Sequence, residues 1–156
     1  SFGINKTIGD LAGPMAFAIL MGSSRAFYGK FGDKINLERF MQYSAILCMI
    51  SYLMIAFIPV PALGILGCAV CGLSVGIMWP GTFSMAAASV KRGGTALFAL
   101  LALAGDVGCS SGPTYVGMIS GTLNDNLKMG IFAALVFPIL MIVGIKLISG
   151  LRKKNI

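Results

Sequence analysis

Apolar residues along this chain come in long unbroken runs, and the few charged residues fall between them. Residues 40–90 carry no charge at all, a stretch of 51. As one α-helix that stretch would be about 76 Å long, more than twice the ~30 Å hydrocarbon thickness of a bilayer. It must therefore cross twice, and Pro59-Val-Pro61 is the natural turn, since neither proline can donate a helix hydrogen bond. Residues 93–124 hold a single charge, Asp106, and residues 129–145 hold none. Near the start, Leu11–Ser24 is uncharged but too short alone, so the first helix takes in Asp10, Arg25 or both at its edges. The pattern predicts helices over about 8–28, 40–58, 62–86, 95–121 and 128–149. These segments lack the polar face of helical period that a soluble bundle would need. The expected fold class is all-α: a polytopic membrane helical bundle of about five transmembrane helices, in one transmembrane domain over residues 1–156.

Composition sharpens this and removes several chemistries. Hydrophobic residues make up 57% of the chain and charged residues 11%, with a mean hydropathy of +0.91. Soluble domains are usually about 45–50% apolar and about 25% charged, so the lipid bilayer is the expected solvent and partner. Histidine is absent, which removes imidazole metal ligation and histidine-based acid–base catalysis. No metal cluster, nucleophile–base pair or phosphate loop is legible, so the expectation is a protein that is not an enzyme and uses no cofactor. The net charge of +7 resides between apolar runs, the pattern of membrane loops and not of a nucleic-acid surface. Counted near the span ends, ten Lys and Arg fall on one side and only Lys6 and Lys128 on the other. The positive-inside rule then predicts an N-terminus outside and a C-terminus in the cytoplasm, in the plasma (inner) membrane. All four cysteines lie in apolar segments; Cys68-Ala-Val-Cys71 has redox spacing, but without a soluble βαβ setting it reads as packed thiols.

Polar groups inside the spans are the candidate chemistry. Asp106 sits near mid-span, where a carboxylate costs about 2.5–3.5 kcal/mol on insertion scales. Two readings stand side by side: a proton-coupling or substrate-contacting group, or a carboxylate satisfied by Ser110, Tyr115 or another span. The glycines around it and Pro113 permit local unwinding, a device that exposes backbone groups at transporter sites. Arg25 reads either as a snorkelling interface residue or as a cavity residue, and Asp10 belongs to the outer interface beside Gly13-Pro14. In the third span Gly72, Gly76 and Pro80 recur at four-residue spacing, a stripe for close helix packing ending in a residue that bends helices.

The loop Gly29-Lys30-Phe31-Gly32-Asp33-Lys34-Ile35-Asn36, followed by Glu38-Arg39, resembles the loop motif of the major facilitator superfamily. Lys34 stands where that motif usually has Arg, and Asn36 where it has a second glycine. The stretch from Gly9-Asp10 through Tyr28-Gly29 is similar to the eighth helix of such transporters, and the whole chain to helices eight to twelve. The resemblance implies a half repeat of a twelve-helix fold, in which the second and fifth spans lie outside and the others line a cavity. It also implies a cytoplasmic gate built on Gly29, Asp33, Lys34 and Arg39, with Gly29 allowing close helix approach and Asp33 accepting from a nearby helix start. The function implied is secondary active transport of a small-molecule solute by alternating access, as a symport if proton-coupled. Asp106, Arg25 and Asp10 are then the substrate or proton-coupling candidates. Five helices cannot provide alternating access alone, so a fragment, completed by the N-terminal half of the transporter, is the expectation. The alternative is a small non-transporting membrane protein acting as an assembly or structural partner.

Overall fold

A computed structural model of the chain describes residues 6–58, 60–90, 93–124 and 126–154, with side chains placed except at 6–10, 33, 61 and 151–154. Among the described residues seven α-helices follow one another: α1 (Lys6–Phe31), α2 (Leu37–Phe57), α3 (Pro61–Val75), α4 (Met78–Ser89), α5 (Gly94–Thr122), α6 (Leu127–Ala133) and α7 (Val136–Lys154). A short 3₁₀ turn, Gly32–Lys34, joins α1 to α2, and no strand occurs among the described residues. The helices gather into two compact units, Ser1–Met78 and Trp79–Ile156.

Four helical segments are long and apolar enough to cross a membrane: Leu37–Phe57, Ala62–Ser89, Gly94–Thr122 and Leu127–Gly150. The chain is an integral membrane protein of helical type. The first expected span is helical along its whole length as α1, but it is not among the four. Arg25, the Ser23–Ser24 pair and Gly13-Pro14 dilute its apolar residues.

Two of the expected spans are interrupted. The third divides into α3 and α4 at Gly76–Ile77, and the fifth into α6 and α7 at Ala134–Leu135. The sequence reading placed a bend at Pro80; the interruption lies four residues earlier, for a definite reason. A helical N–H at position i bonds the carbonyl at i−4, and proline has no N–H. Pro80 therefore leaves the Gly76 carbonyl without its helical donor, and Pro138 does the same to Ala134. At the second break the Ala134 carbonyl accepts from Phe137 N instead, at 3.1 Å.

In the first unit α1 and α2 both pack on α3. Small residues make the approach close. A Cβ added at Gly72 would strike the Phe17 main-chain carbonyl of α1, and one at Gly76 would lie 2.8 Å from the Met21 carbonyl oxygen and 2.9 Å from Ser24 Cβ. The chain returns from α1 to α2 over a stack of Tyr28 on Phe40, ring centroids 6.3 Å apart. Asn36 then starts α2 as its N-cap, its Oδ1 accepting from Arg39 N at 3.2 Å.

In the second unit Trp79 of α4 lies over Gly105 of α5, where a Cβ would enter the indole ring. Phe83 stacks on Phe98, centroids 5.7 Å apart. Gly130 brings α6 against α5, its added Cβ meeting the Val116 carbonyl oxygen at 2.7 Å.

The Gly72 contact gives a direct test. Gly72→Leu forces α1 and α3 apart and should destabilise the protein by about 1–3 kcal/mol, the usual cost of overpacking. Gly22→Ala, which meets nothing within 4 Å, should be neutral or slightly stabilising. Thermal unfolding of both variants in one detergent measures the difference; equal midpoints would remove the α1–α3 contact from the account.

Candidate functional site

Two features carry chemistry, one in each unit. The first is the break between α3 and α4. Gly76 is the fifteenth residue of the 28-residue segment Ala62–Ser89, so its free carbonyl lies near mid-span. Arg25 Nε donates to that carbonyl at 3.1 Å, in a partly buried position. To the two readings the sequence left open for Arg25, interface or cavity residue, the structure adds one contact: the guanidinium turns to the exposed carbonyl of a neighbouring helix. An unmade bond to a carbonyl in lipid costs more than the reach of a flexible side chain. Gly72 and Gly76 make the arrangement geometrically attainable, because α1 and α3 are in backbone contact there. The Nη groups of Arg25 have no partner among the described residues. A cation is thus held at a helix break with four N–H donors still to offer.

The second feature is a face of α5. Asp106 is the thirteenth of its 29 residues and is exposed. Val107, Ser110, Ser111, Thr114, Tyr115 and Met118 share with it an open groove of about 590 Å³. The spacing of these positions puts them on one half of the helix. Ser110 does not satisfy the carboxylate, as the sequence allowed; its Oγ donates to the Asp106 main-chain carbonyl at 3.0 Å. Thr114 Oγ1 likewise donates to the Ser110 carbonyl, at 2.8 Å. Tyr115 sets its ring edge-on against Phe137 of α7, centroids 5.7 Å apart at 82°. Among the described residues nothing pairs with the Asp106 carboxylate. The local unwinding that Pro113 permits is not used: α5 is helical from Gly94 to Thr122. One missing bond is cheaper in lipid than several bare amides, so the helix continues on its remaining bonds.

The loop motif is met only in part. Gly29 is exposed and a Cβ there would meet nothing within 4 Å, so it brings no described helices together. The close approach expected of it is made by Gly72 and Gly76, which face the α1 backbone from the middle of a helix pair. The start of α2 is capped by Asn36, while the Asp33 side chain lies outside the described residues. Lys34 and Arg39 are both exposed, and Lys30 Nζ sits 5.6 Å from the Phe31 ring centroid. The Asp10 side chain and residues Lys91 and Arg92 also fall outside the described set. Sequence reasoning missed the Gly76 carbonyl and the Ala134–Leu135 break, although both follow from counting four residues back from a proline.

No family model, curated protein or solved structure matches this chain.

The pairing of Arg25 with the Gly76 carbonyl predicts a specific non-additivity. Arg25→Leu should cost about 1–3 kcal/mol, the penalty for a stranded polar group. Pro80→Ala restores an N–H four residues beyond Gly76, so the same Arg25 substitution should cost much less in that background. A double-mutant cycle on thermal stability reads the coupling. Additive effects would mean that the guanidinium does not act on this carbonyl.

Proposed function

We propose that this chain is part of a secondary active transporter that moves a small solute by alternating access, built as the C-terminal half of a major-facilitator-like fold. The observation that carries the reading is the mid-span break of α3–α4, with its free carbonyl held by Arg25. Transporters bind solutes near the bilayer midplane at discontinuous helices, where main-chain groups are released from the helical ladder. Static bundles have less use for such a break, because each freed amide is costly in hydrocarbon. The exposed carboxylate of Asp106, mid-way along another span, supports the same reading, since ionisable residues at that depth face water or protein.

In this proposal the five crossings are α1, α2, α3–α4, α5 and α6–α7, and α1 crosses despite its weaker apolarity because Arg25 is satisfied within the protein. Asp106 contacts solute or carries the coupling proton. Arg25 holds the broken helix and presents its Nη groups, and Asp10 stands at the outer end of α1. Gly29, Asp33, Lys34 and Arg39 belong to the cytoplasmic gate. The complementary N-terminal half supplies the other wall of the cavity. A second reading, a non-transporting assembly partner, is favoured by one observation: none of the apolar window of α5 is buried. A cavity wall and a docking face for another subunit both leave a helix bare.

Uptake into proteoliposomes separates them. The complete protein, tested across a panel of solutes with and without a pH gradient, should accumulate at least one solute. Asp106→Asn should abolish or uncouple that uptake while leaving the free energy of unfolding within about 1 kcal/mol of the parent, as expected for an exposed site. Unchanged uptake and unchanged proton coupling in this variant would end the case for Asp106.

The topology can be checked separately. With five crossings, a tag after Ile156 should be reached only from the cytoplasmic face, and one before Ser1 only from outside. Protease protection in oriented vesicles reads this; both tags on the same side would require an even number of crossings and would remove α1 from the membrane.

A further inference from the structure

Helices α1 and α2 each pack on α3 and leave a groove of about 500 Å³ between them. Phe27 of α1, Phe40, Tyr43 and Leu47 of α2 and Leu73 of α3 line it. The groove exists because the chain places Ser23, Ser24 and Ser44 where larger residues would fill it. Ser24 and Ser44 are buried, while Phe27, Tyr43 and Leu73 are 51%, 69% and 39% exposed, so the groove opens outward. Ser23 keeps its hydroxyl proton on the Ile19 carbonyl at 2.8 Å and offers the groove no donor. The walls are therefore largely apolar.

Its depth matches one leaflet. Helix α2 begins at Leu37, and Leu47 stands ten residues in, about 15 Å along the axis. Ser23 stands eight residues before the end of α1 at Phe31, about 12 Å. Both lengths are close to half of the ~30 Å hydrocarbon core. Cations stand at the shallow end. Lys30 follows Phe27 by three residues and Arg39 precedes Tyr43 by four, so each shares a helix face with a lining residue. Phe31 ties the first to the groove: its ring centroid lies 5.0 Å from that of Phe27 and 5.6 Å from Lys30 Nζ. Lys30, Lys34 and Arg39 are all exposed. Glu38 falls nine residues, or two and a half turns, before Leu47 and so lies on the opposite side of α2. Among the described side chains, the shallow end thus turns cations and no carboxylate to the groove.

We propose that this groove binds an acidic phospholipid of the leaflet in which the α1–α2 turn lies. One acyl chain runs along Phe27, Phe40 and Leu47, and the phosphate sits between Lys30 and Arg39. Lipid tails are the solvent at this depth, and a groove left empty would forfeit dispersion contacts along its walls. A zwitterionic lipid offers the same chain but no net charge, so the two cations favour the acidic one. A soluble anion could use the cations but gains nothing from the apolar walls. The bound lipid fills the gap between α1 and α2 beside the Tyr28–Phe40 stack, where the two helices otherwise meet chiefly through α3.

The test uses the whole chain carrying Trp79→Phe and Tyr43→Trp, which leaves one tryptophan, at the groove. It is reconstituted in mixed vesicles of phosphatidylglycerol and phosphatidylcholine, with each lipid in turn brominated on its acyl chains. Bromine quenches an indole that it touches, so the two titrations give the relative affinity of the lipids at position 43. Phosphatidylglycerol should be preferred by about fivefold if one cation is engaged and by about thirtyfold if both are. The ratio should fall to about one on adding Lys30→Gln and Arg39→Gln. It should fall likewise on adding Ser23→Phe, which fills the groove and leaves the cations in place. With the tryptophan on α5 instead, as Trp79→Phe/Leu100→Trp, the ratio should also be about one. Every replaced residue is exposed, so the variants should fold. A ratio of about one at position 43 in the parent would overturn the proposal. So would a preference that survives either set of added substitutions, or one equally strong at position 100, since neither would belong to this groove.

Discussion

Lipid offers no hydrogen bonds, so every main-chain carbonyl inside the membrane must find its donor within the protein. Prolines are where this constraint becomes visible, because each removes one donor at a known carbonyl four residues back. Pro14 and Pro113 lie inside helices that continue past them. Pro80 and Pro138 each stand third in a helix that starts just after a break. At the two breaks the stranded carbonyls find other donors. Ala134 takes the N–H of Phe137, and Gly76 takes the guanidinium of Arg25. Arg25 is thus a charged residue in an apolar helix because a distant proline creates an acceptor for it.

The same solvent inverts the usual rule of what is buried. Leu11, Ile19, Leu100 and Leu147 are all about 60% exposed or more, while Ser51 and Ser74 are sealed inside. Lipid tails are as apolar as leucine, so large side chains gain nothing from turning inward. Close backbone approach gains dispersion contacts, and only small residues permit it. Gly72 and Gly76 serve this on one side of α3, and Ala69, Cys71 and Ser74 serve it on the other. Helix α3 is therefore the centre of its unit, and its near-continuous run of small residues is the sequence record of that position.

Much of the architecture was legible because it depends on where charges are absent. Runs of uncharged residues marked helix ends to within a few positions: 40–58 against Leu37–Phe57, and 95–121 against Gly94–Thr122. The breaks at Gly76 and Ala134 escaped because apolar patterning has no term for main-chain hydrogen bonds. The partner of Arg25 escaped for a different reason: it is a main-chain oxygen 51 residues away, and no side-chain pattern records it. Asp106 was found as an oddity of depth, but the sequence could not say that its neighbouring serine would turn to the main chain. Ser and Thr in helices habitually bond the carbonyl a turn back, and this habit outcompetes a carboxylate on a different rotamer.

The α5 face follows from the same constraint. Its hydroxyls Ser110 and Thr114 are satisfied within the helix, so lipid would tolerate them. The Asp106 carboxylate is different, because no rearrangement of its own helix has been used to satisfy it. Leaving it against hydrocarbon costs about 2.5–3.5 kcal/mol even on the mildest scale. Whatever covers this face must therefore bring hydrogen-bond donors, whether as water, a solute or a side chain of another helix. The demand is narrow: donors at one depth, opposite a groove otherwise lined by Val107, Met118 and self-satisfied hydroxyls. An apolar helix packing here would bury the carboxylate unpaired, at a cost of several kcal/mol. The face is in that sense selective before any ligand is known, through one acceptor that the chain leaves open.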